Sequence, residues 1–234
     1  MSPRAILYLV PSFLDEEGMD ALPAYLLGAI QDTEVFFVEN ERSARRFLKK
    51  LWKEIDIDRY PWFVIHKAEE SLKQEFLQQI KLGKRISIIS EAGCPGIADP
   101  GQILVAAAQQ AGARVKPLVG PNSILLALMA SGMNGQHFQF HGYLPIDGAE
   151  RIRRIKELET LSRKEGSAQL FIETPYRNLS LMDCLLKTCS PQIRLCIAVN
   201  LTGKSENIQT KTIEAWRAGI PDINKKPAIF ILQA

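Results

Sequence analysis

Apolar residues follow two rhythms along this chain. Short runs rich in β-branched and aromatic residues (5–10, 33–38, 62–66, 85–90 and 114–119) read as strands. The stretches between them (19–31, 41–54, 69–82 and 102–111) carry apolar residues at the three-to-four spacing of a helix. Segment 41–54 shows it plainly: Ala44, Phe47, Leu48 and Leu51 share one face, and Arg42, Arg45, Arg46, Lys49 and Lys50 take the other. Such alternation predicts a mostly parallel sheet with helices on both faces.

The second half changes character. Helices are expected over 123–131, 152–163, 178–187 and 213–218, and strands over 137–143, 168–173, 193–199, 206–212 and 228–232, the last two as a closing antiparallel pair. Gly120, set between Pro117 and Pro121, punctuates the chain. Two α/β domains are therefore expected: 1–119 around a mostly parallel sheet, and 120–234 around a mixed one. No internal repeat or low-complexity tract interrupts either.

Composition narrows the class. A length of 234 residues suits one large or two small domains, and 46% hydrophobic with 24% charged residues excludes a disordered or collagen-like chain. No apolar run approaches the ~20 residues of a membrane helix. The opening Met-Ser-Pro-Arg passes straight into an apolar strand without the layout of a signal peptide. A cytoplasmic protein with no membrane partner is expected. Cys94, Cys184, Cys189 and Cys196 form no C-x-x-C, and His66, His137 and His141 do not stand at zinc-like spacing from them, so neither a metal site nor a disulfide framework is expected.

With a net charge of +3, a nucleic-acid partner has to be read from local patches. Two exist: Arg42, Arg45, Arg46, Lys49 and Lys50, and Arg151, Arg153, Arg154 and Lys156. Glu41, Glu54, Glu150 and Glu157 dilute them, and basic helix faces are usually just solvated.

The stretch Ser90-Glu91-Ala92-Gly93-Cys94-Pro95-Gly96-Ile97-Ala98-Asp99-Pro100-Gly101 is the most informative. It joins a buried strand to a helix, and its glycines and prolines fix an unusual backbone path. In an open α/β sheet, ligands bind at the carboxyl ends of strands, where this loop must lie. The glycine spacing is not G-x-G-x-x-G, and neither a phosphate-binding G-x-x-x-x-G-K-[ST] nor a G-x-S-x-G elbow occurs. What remains is a ligand read by main-chain groups and apolar walls, such as a nucleoside-like cofactor.

Three ordered motifs carry a resemblance. The loop 90–101, then Pro117-Leu118-Val119-Gly120-Pro121-Asn122-Ser123, then Phe171-Ile172-Glu173-Thr174-Pro175-Tyr176-Arg177, are similar to those of the tetrapyrrole methylase superfamily of S-adenosylmethionine-dependent methyltransferases. Within it they most resemble the ribosomal RNA small-subunit methyltransferase I branch, cytidine ribose 2′-O-methylases that read S-D-A-G-T-P-x-I-S-D-P-G, P-L-P-G-P-S-A and F-Y-E-S-P-H-R. Gly142-Tyr143-Leu144-Pro145 resembles that branch's G-F-L-P. The resemblance implies two α/β domains with S-adenosyl-L-methionine in the cleft between them, a homodimer, and small-subunit rRNA as substrate.

Departures are concentrated elsewhere. The family's V-P-T-P-I-G-N-L becomes a longer, acidic Val10-Pro11-Ser12-Phe13-Leu14-Asp15-Glu16-Glu17-Gly18-Met19. Its A-E-D-T-R becomes Val38-Glu39-Asn40-Glu41-Arg42, and its A-R-E-L-T-K becomes Ala198-Val199-Asn200-Leu201-Thr202-Gly203-Lys204. Cofactor-side motifs thus survive better than substrate-side ones. Methylation of a different small-molecule or RNA acceptor, or cofactor binding without catalysis, stays open.

Methyl transfer from a sulfonium needs alignment above all, because the cofactor carries the activation. A ribose hydroxyl must also lose its proton, which makes Glu39 and Glu173, each at a strand end, candidate bases. Lys204 is a candidate for stabilising the oxyanion. A lone glutamate after a strand is more often a cap or a solvated residue, and Lys204 has the same bland alternative. Ser90, Glu91, Ala92 and Gly93 are expected to line the cofactor pocket. Pro121, Asn122 and Ser123 lie at the start of a helix, where amides meet a carboxylate. By resemblance Phe171 and Thr174, Pro175, Tyr176 and Arg177 approach the cofactor from the second domain. Asp99 is expected to cap the helix that begins after Gly101.

Overall fold

The computed structural model describes residues 4–65 and 69–234. His66, the expected end of the third strand, lies outside them. The chain forms two compact units, Met1–Asn122 and Ser123–Ala234.

The first unit holds β1 (Ile6–Val10), α1 (Leu26–Asp32), β2 (Val35–Val38), α2 (Glu41–Leu51), β3 (Trp62–Val64), α3 (Glu69–Lys81), β4 (Arg85–Ile89), α4 (Gln102–Gln110) and β5 (Arg114–Pro117). Its five strands run parallel in the order β3-β2-β4-β1-β5. The two-residue period of each strand divides its side chains between two cores. Tyr8, Val10, Phe36 and Val38 meet Leu26 and Ile30 of α1 and Phe47 and Leu48 of α2. Leu7, Val35, Phe37, Ile86 and Ile88 meet Phe76 of α3 and Leu104 of α4 on the other face.

This order determines where a ligand site sits. From β1 the chain moves across the sheet to β2, whereas from the adjacent β4 it moves the opposite way to β5. The connections leave on opposite faces and open a crevice at the carboxyl ends of β1 and β4, a topological switch point.

One expected helix is shorter than its pattern. Residues 19–31 break into a 3-10 turn, Met19–Ala21, and then α1 from Leu26. Pro23 forces the preceding Leu22 into an extended conformation (ψ 127°), which stops the helix.

The second unit contains α5 (Ser123–Ser131), β6 (Phe138–Tyr143), α6 (Gly148–Glu165), β7 (Ala168–Ile172), α7 (Asn178–Thr188), β8 (Arg194–Val199), β9 (Asn207–Thr212), α8 (Ile213–Arg217) and β10 (Ala228–Gln233). Strand order is β6-β7-β10-β8-β9, with β6 and β7 parallel and the other neighbours antiparallel. The expected closing pair is corrected here: β9 and β10 each pair with β8, which lies between them. Composition supplies the reason. Ala228, Ile229, Phe230, Ile231 and Leu232 are all buried, as a central strand with two covered faces requires, whereas Asn-Ile-Gln-Thr-Lys-Thr of β9 suits an edge.

Helix α6 extends beyond its expected 152–163 at both ends. Asp147 caps it by accepting from the Glu150 amide at 2.9 Å, and Gly166 ends it in the left-handed region at φ 61°. Trp216 of α8 seals the core, its indole donating to the Leu195 carbonyl at 2.8 Å. Among the described residues no helix is long and apolar enough to cross a membrane.

Candidate cofactor and active site

The loops after β1, β2, β4 and β5 meet at the switch point and are stitched together mostly by main chain. The Ser12 amide donates to the Gly93 carbonyl at 2.9 Å, and its hydroxyl donates to the Ser90 carbonyl at 3.1 Å. Glu39, just past β2, accepts from the Glu91 amide at 2.9 Å, while its own amide donates to Ile89 at 3.2 Å. Asn40 caps α2 through Oδ1, accepting from Arg42 and Ser43, and donates from Nδ2 to Glu91 at 3.4 Å. Cys94 Sγ points at the Pro121 carbonyl, 3.5 Å away. Ser90, Glu91, Gly93, Pro121 and Glu39 are thus brought to one place within the first unit.

Two glycines are required by this packing. Gly93 has φ 74°, and a Cβ there would stand 3.1 Å from Leu14 Cδ2. Gly120 is tighter still: a Cβ would lie 2.3 Å from Cβ and Cγ of Pro11. The resulting loop leaves Glu91 and Ala92 exposed beside it. Ser90, 4% exposed, buries a hydroxyl oxygen that has no hydrogen-bond partner among the described residues. A buried polar atom left this way is costly unless a ligand satisfies it.

Charge at the crevice is negative. Burial, and then the neighbouring Glu39 and Glu91, push the Asp99 carboxyl up to about 7. The expected capping role of Asp99 is corrected: Gly101, at φ 124°, occupies the N-cap of α4, and no side chain caps that helix. What the sequence did not show is that Glu39, from the loop after β2, comes close to Glu91 and Asp99 of the loop after β4, a proximity the strand order creates.

Residues expected from the second unit occupy different settings. Phe171 is fully buried, stacked on Phe230 with ring centroids 5.9 Å apart. Its side chain is core, because the inward phase of β7 places it there, which leaves its main chain to approach a ligand. Glu173 is also enclosed, with 0% side-chain exposure. It accepts from the Thr174 amide at 2.7 Å and from Arg177 Nε at 2.9 Å, and Arg177 Nη2 stands 2.7 Å away. Ser123 opens α5, and Lys204 lies exposed in the β8–β9 turn, where Asn200 (φ 49°) and Thr202 (φ 67°) take left-handed conformations.

Both basic clusters are reduced by the fold. Arg45 pairs with Glu41 and Asp58 and covers Trp62, Lys49 donates to the Ile55 carbonyl, and Arg46 and Lys50 both grip Glu16. The acidic loop that departs from the family pattern is therefore clamped to α2. Arg151 leaves the second cluster altogether. It is 5% exposed and donates to the carbonyls of Pro145 and Ile146 and to Ser180, with Glu173 Oε2 at 3.8 Å. Arg151, Ile155, Leu158 and Ser162 repeat on the buried face of α6.

No family model matches the chain. It is 31% identical to the ribosomal RNA small subunit methyltransferase I of Vibrio cholerae, over 97% of this chain and 76% of that protein. The Haemophilus influenzae protein of the same name is 32% identical, over 74% of this chain and 61% of its own length. For Bacillus subtilis the figures are 29%, 91% and 69%. The crystal structure of the methyltransferase CobJ superposes with a TM-score of 0.64, covering 99% of this chain and 94% of that one at 16% identity. The uroporphyrin-III-C-methyltransferase of Thermus thermophilus gives 0.55, covering 98% and 92%, also at 16%. At that identity the two structures speak for the fold alone. By its 31% identity across nearly its whole length, the chain belongs to the ribosomal RNA small subunit methyltransferase I family.

Proposed function

We propose that the chain is an S-adenosylmethionine-dependent methyltransferase that modifies a cytidine ribose 2′-hydroxyl of small-subunit rRNA, acting in the cytoplasm as a homodimer. The observation that carries the cofactor reading is the crevice at the β1/β4 switch point, with its unsatisfied Ser90 hydroxyl and its glycine-lined wall. A cofactor with sulfonium and ammonium charges suits a crevice bordered by the Glu39 and Glu91 carboxylates, and its arrival would favour ionisation of Asp99.

When bound, the cofactor supplies a methyl group already activated for transfer. The chain's own work is to bind and orient. Ser90, Glu91, Ala92 and Gly93 offer main-chain groups and one hydroxyl, and Pro121 and Asn122 close the same loop cluster. Glu39, fixed by the Glu91 amide, is the candidate to take the acceptor proton. Glu173, enclosed between guanidinium groups, braces the turn that follows β7. Lys204, exposed in its turn, is suited to an anionic acceptor.

The test is calorimetric titration with S-adenosylmethionine and S-adenosylhomocysteine, on the wild type and on Gly93→Arg, followed by methyl transfer to small ribosomal subunits lacking the modification. Micromolar binding (about −8 kcal/mol) that the substitution abolishes, with transfer to the subunits, is expected. Absence of binding by folded wild-type protein overturns the cofactor reading. Binding without transfer to subunits overturns the acceptor.

A further inference from the structure

Tyr176 is 78% exposed, yet the turn that carries it is held from both sides. Pro175 restricts the backbone, the Arg177 amide donates to the Thr174 carbonyl at 2.8 Å, and Arg177 is locked to the enclosed Glu173. From the other side the Lys225 amide donates to the Pro175 carbonyl at 3.2 Å, and Asn178 Nδ2 holds the carbonyls of Ile223 and Lys226 at 3.0 and 2.7 Å. A buried carboxylate and a buried amide thus fix a turn whose outward product is one bare aromatic ring.

Lys225, whose amide is the donor to Pro175, is exposed and itself in the left-handed region at φ 56°. That main-chain bond brings an exposed lysine and an exposed tyrosine to the same turn. Single-stranded nucleic acid is recognised by this pairing, in which a base stacks on the ring and a cation meets the adjoining phosphate.

Resting on the rRNA reading above, we infer that Tyr176 and Lys225 form a nucleotide subsite for the acceptor RNA, the ring stacking an unpaired base and the lysine meeting its phosphate. Tyr176 is then an RNA-binding residue, and Glu173 and Arg177 are positioning residues behind it.

Methyl transfer to unmodified small subunits, with calorimetric titration of S-adenosylmethionine in parallel, tests the assignment. Tyr176→Ala is expected to raise the acceptor KM about 5- to 100-fold, the range of base–aromatic stacking, with cofactor affinity unchanged. Tyr176→Phe, which keeps the ring face, restores most of the loss. Lys225→Ala lowers the salt dependence of RNA binding by about one ion. An unchanged acceptor KM in Tyr176→Ala overturns the inference, as does a loss of cofactor affinity with KM preserved.

Binding of a short single-stranded RNA carrying 2-aminopurine separates this subsite from the choice of acceptor. Should the wild type transfer no methyl to subunits, the acceptor reading fails. Fluorescence quenching by the wild type that Tyr176→Ala abolishes then still upholds the subsite, and equal quenching by both overturns it.

Discussion

Asp99→Asn tests the electrostatics of the crevice directly. In the unfolded chain this carboxyl titrates at 3.8, and in the native protein burial with Glu39 and Glu91 nearby pushes it up to about 7. Between those values the native state keeps a proton that the unfolded state has lost, so stability falls as pH rises through the window. The interval corresponds to about 4 kcal/mol as a ceiling. Solvent reaching the half-buried group reduces it to about 1–2 kcal/mol. Asparagine removes the titration while keeping the shape. At pH 8 the variant is expected to be more stable than the wild type by that amount, raising Tm by about 2–8 °C for a chain of this size. At pH 4 the two should converge. Paired thermal and urea unfolding from pH 4 to 8 measures the difference, in which the titrations common to both proteins cancel. A gap independent of pH, or a variant less stable at pH 8, refutes the picture of three mutually opposed carboxylates.

Gly120→Ala forces a Cβ onto the Pro11 ring, 2.3 Å from two of its atoms, so a cost of about 1–3 kcal/mol and weakened cofactor binding are expected in denaturant melts and calorimetry. Glu173→Gln withdraws the charge between two guanidinium groups and should cost about 3 kcal/mol, read by urea unfolding. Phe171→Ala removes a ring from the second core and should lower stability by about 3–5 kcal/mol while leaving cofactor affinity per folded molecule intact; a selective loss of binding would restore a ligand-facing role for that side chain.

What the sequence determined by itself was local and periodic. Short continuous apolar runs in β1 and β2 and the amphipathic face of α2 are properties of short windows, so the strand-helix alternation, the parallel first sheet and the loop after β4 were readable from them. The position of β10 was not. Its apolar run showed that it was buried, but which strands flank it depends on long-range pairing with β7 and β8. The same limit governed the charges. Arg151 and the basic face of α2 read as cations facing solvent, and tertiary contacts gave them carbonyl and carboxylate partners from distant segments. Asp99 read as a helix cap, and the fold set it beside Glu91 of its own loop and Glu39 of the loop after β2. Periodicity follows from the geometry of one element and is written in consecutive residues. A carboxylate's partners, and hence its protonation, are set by whichever loops the strand order brings to the same end of the sheet.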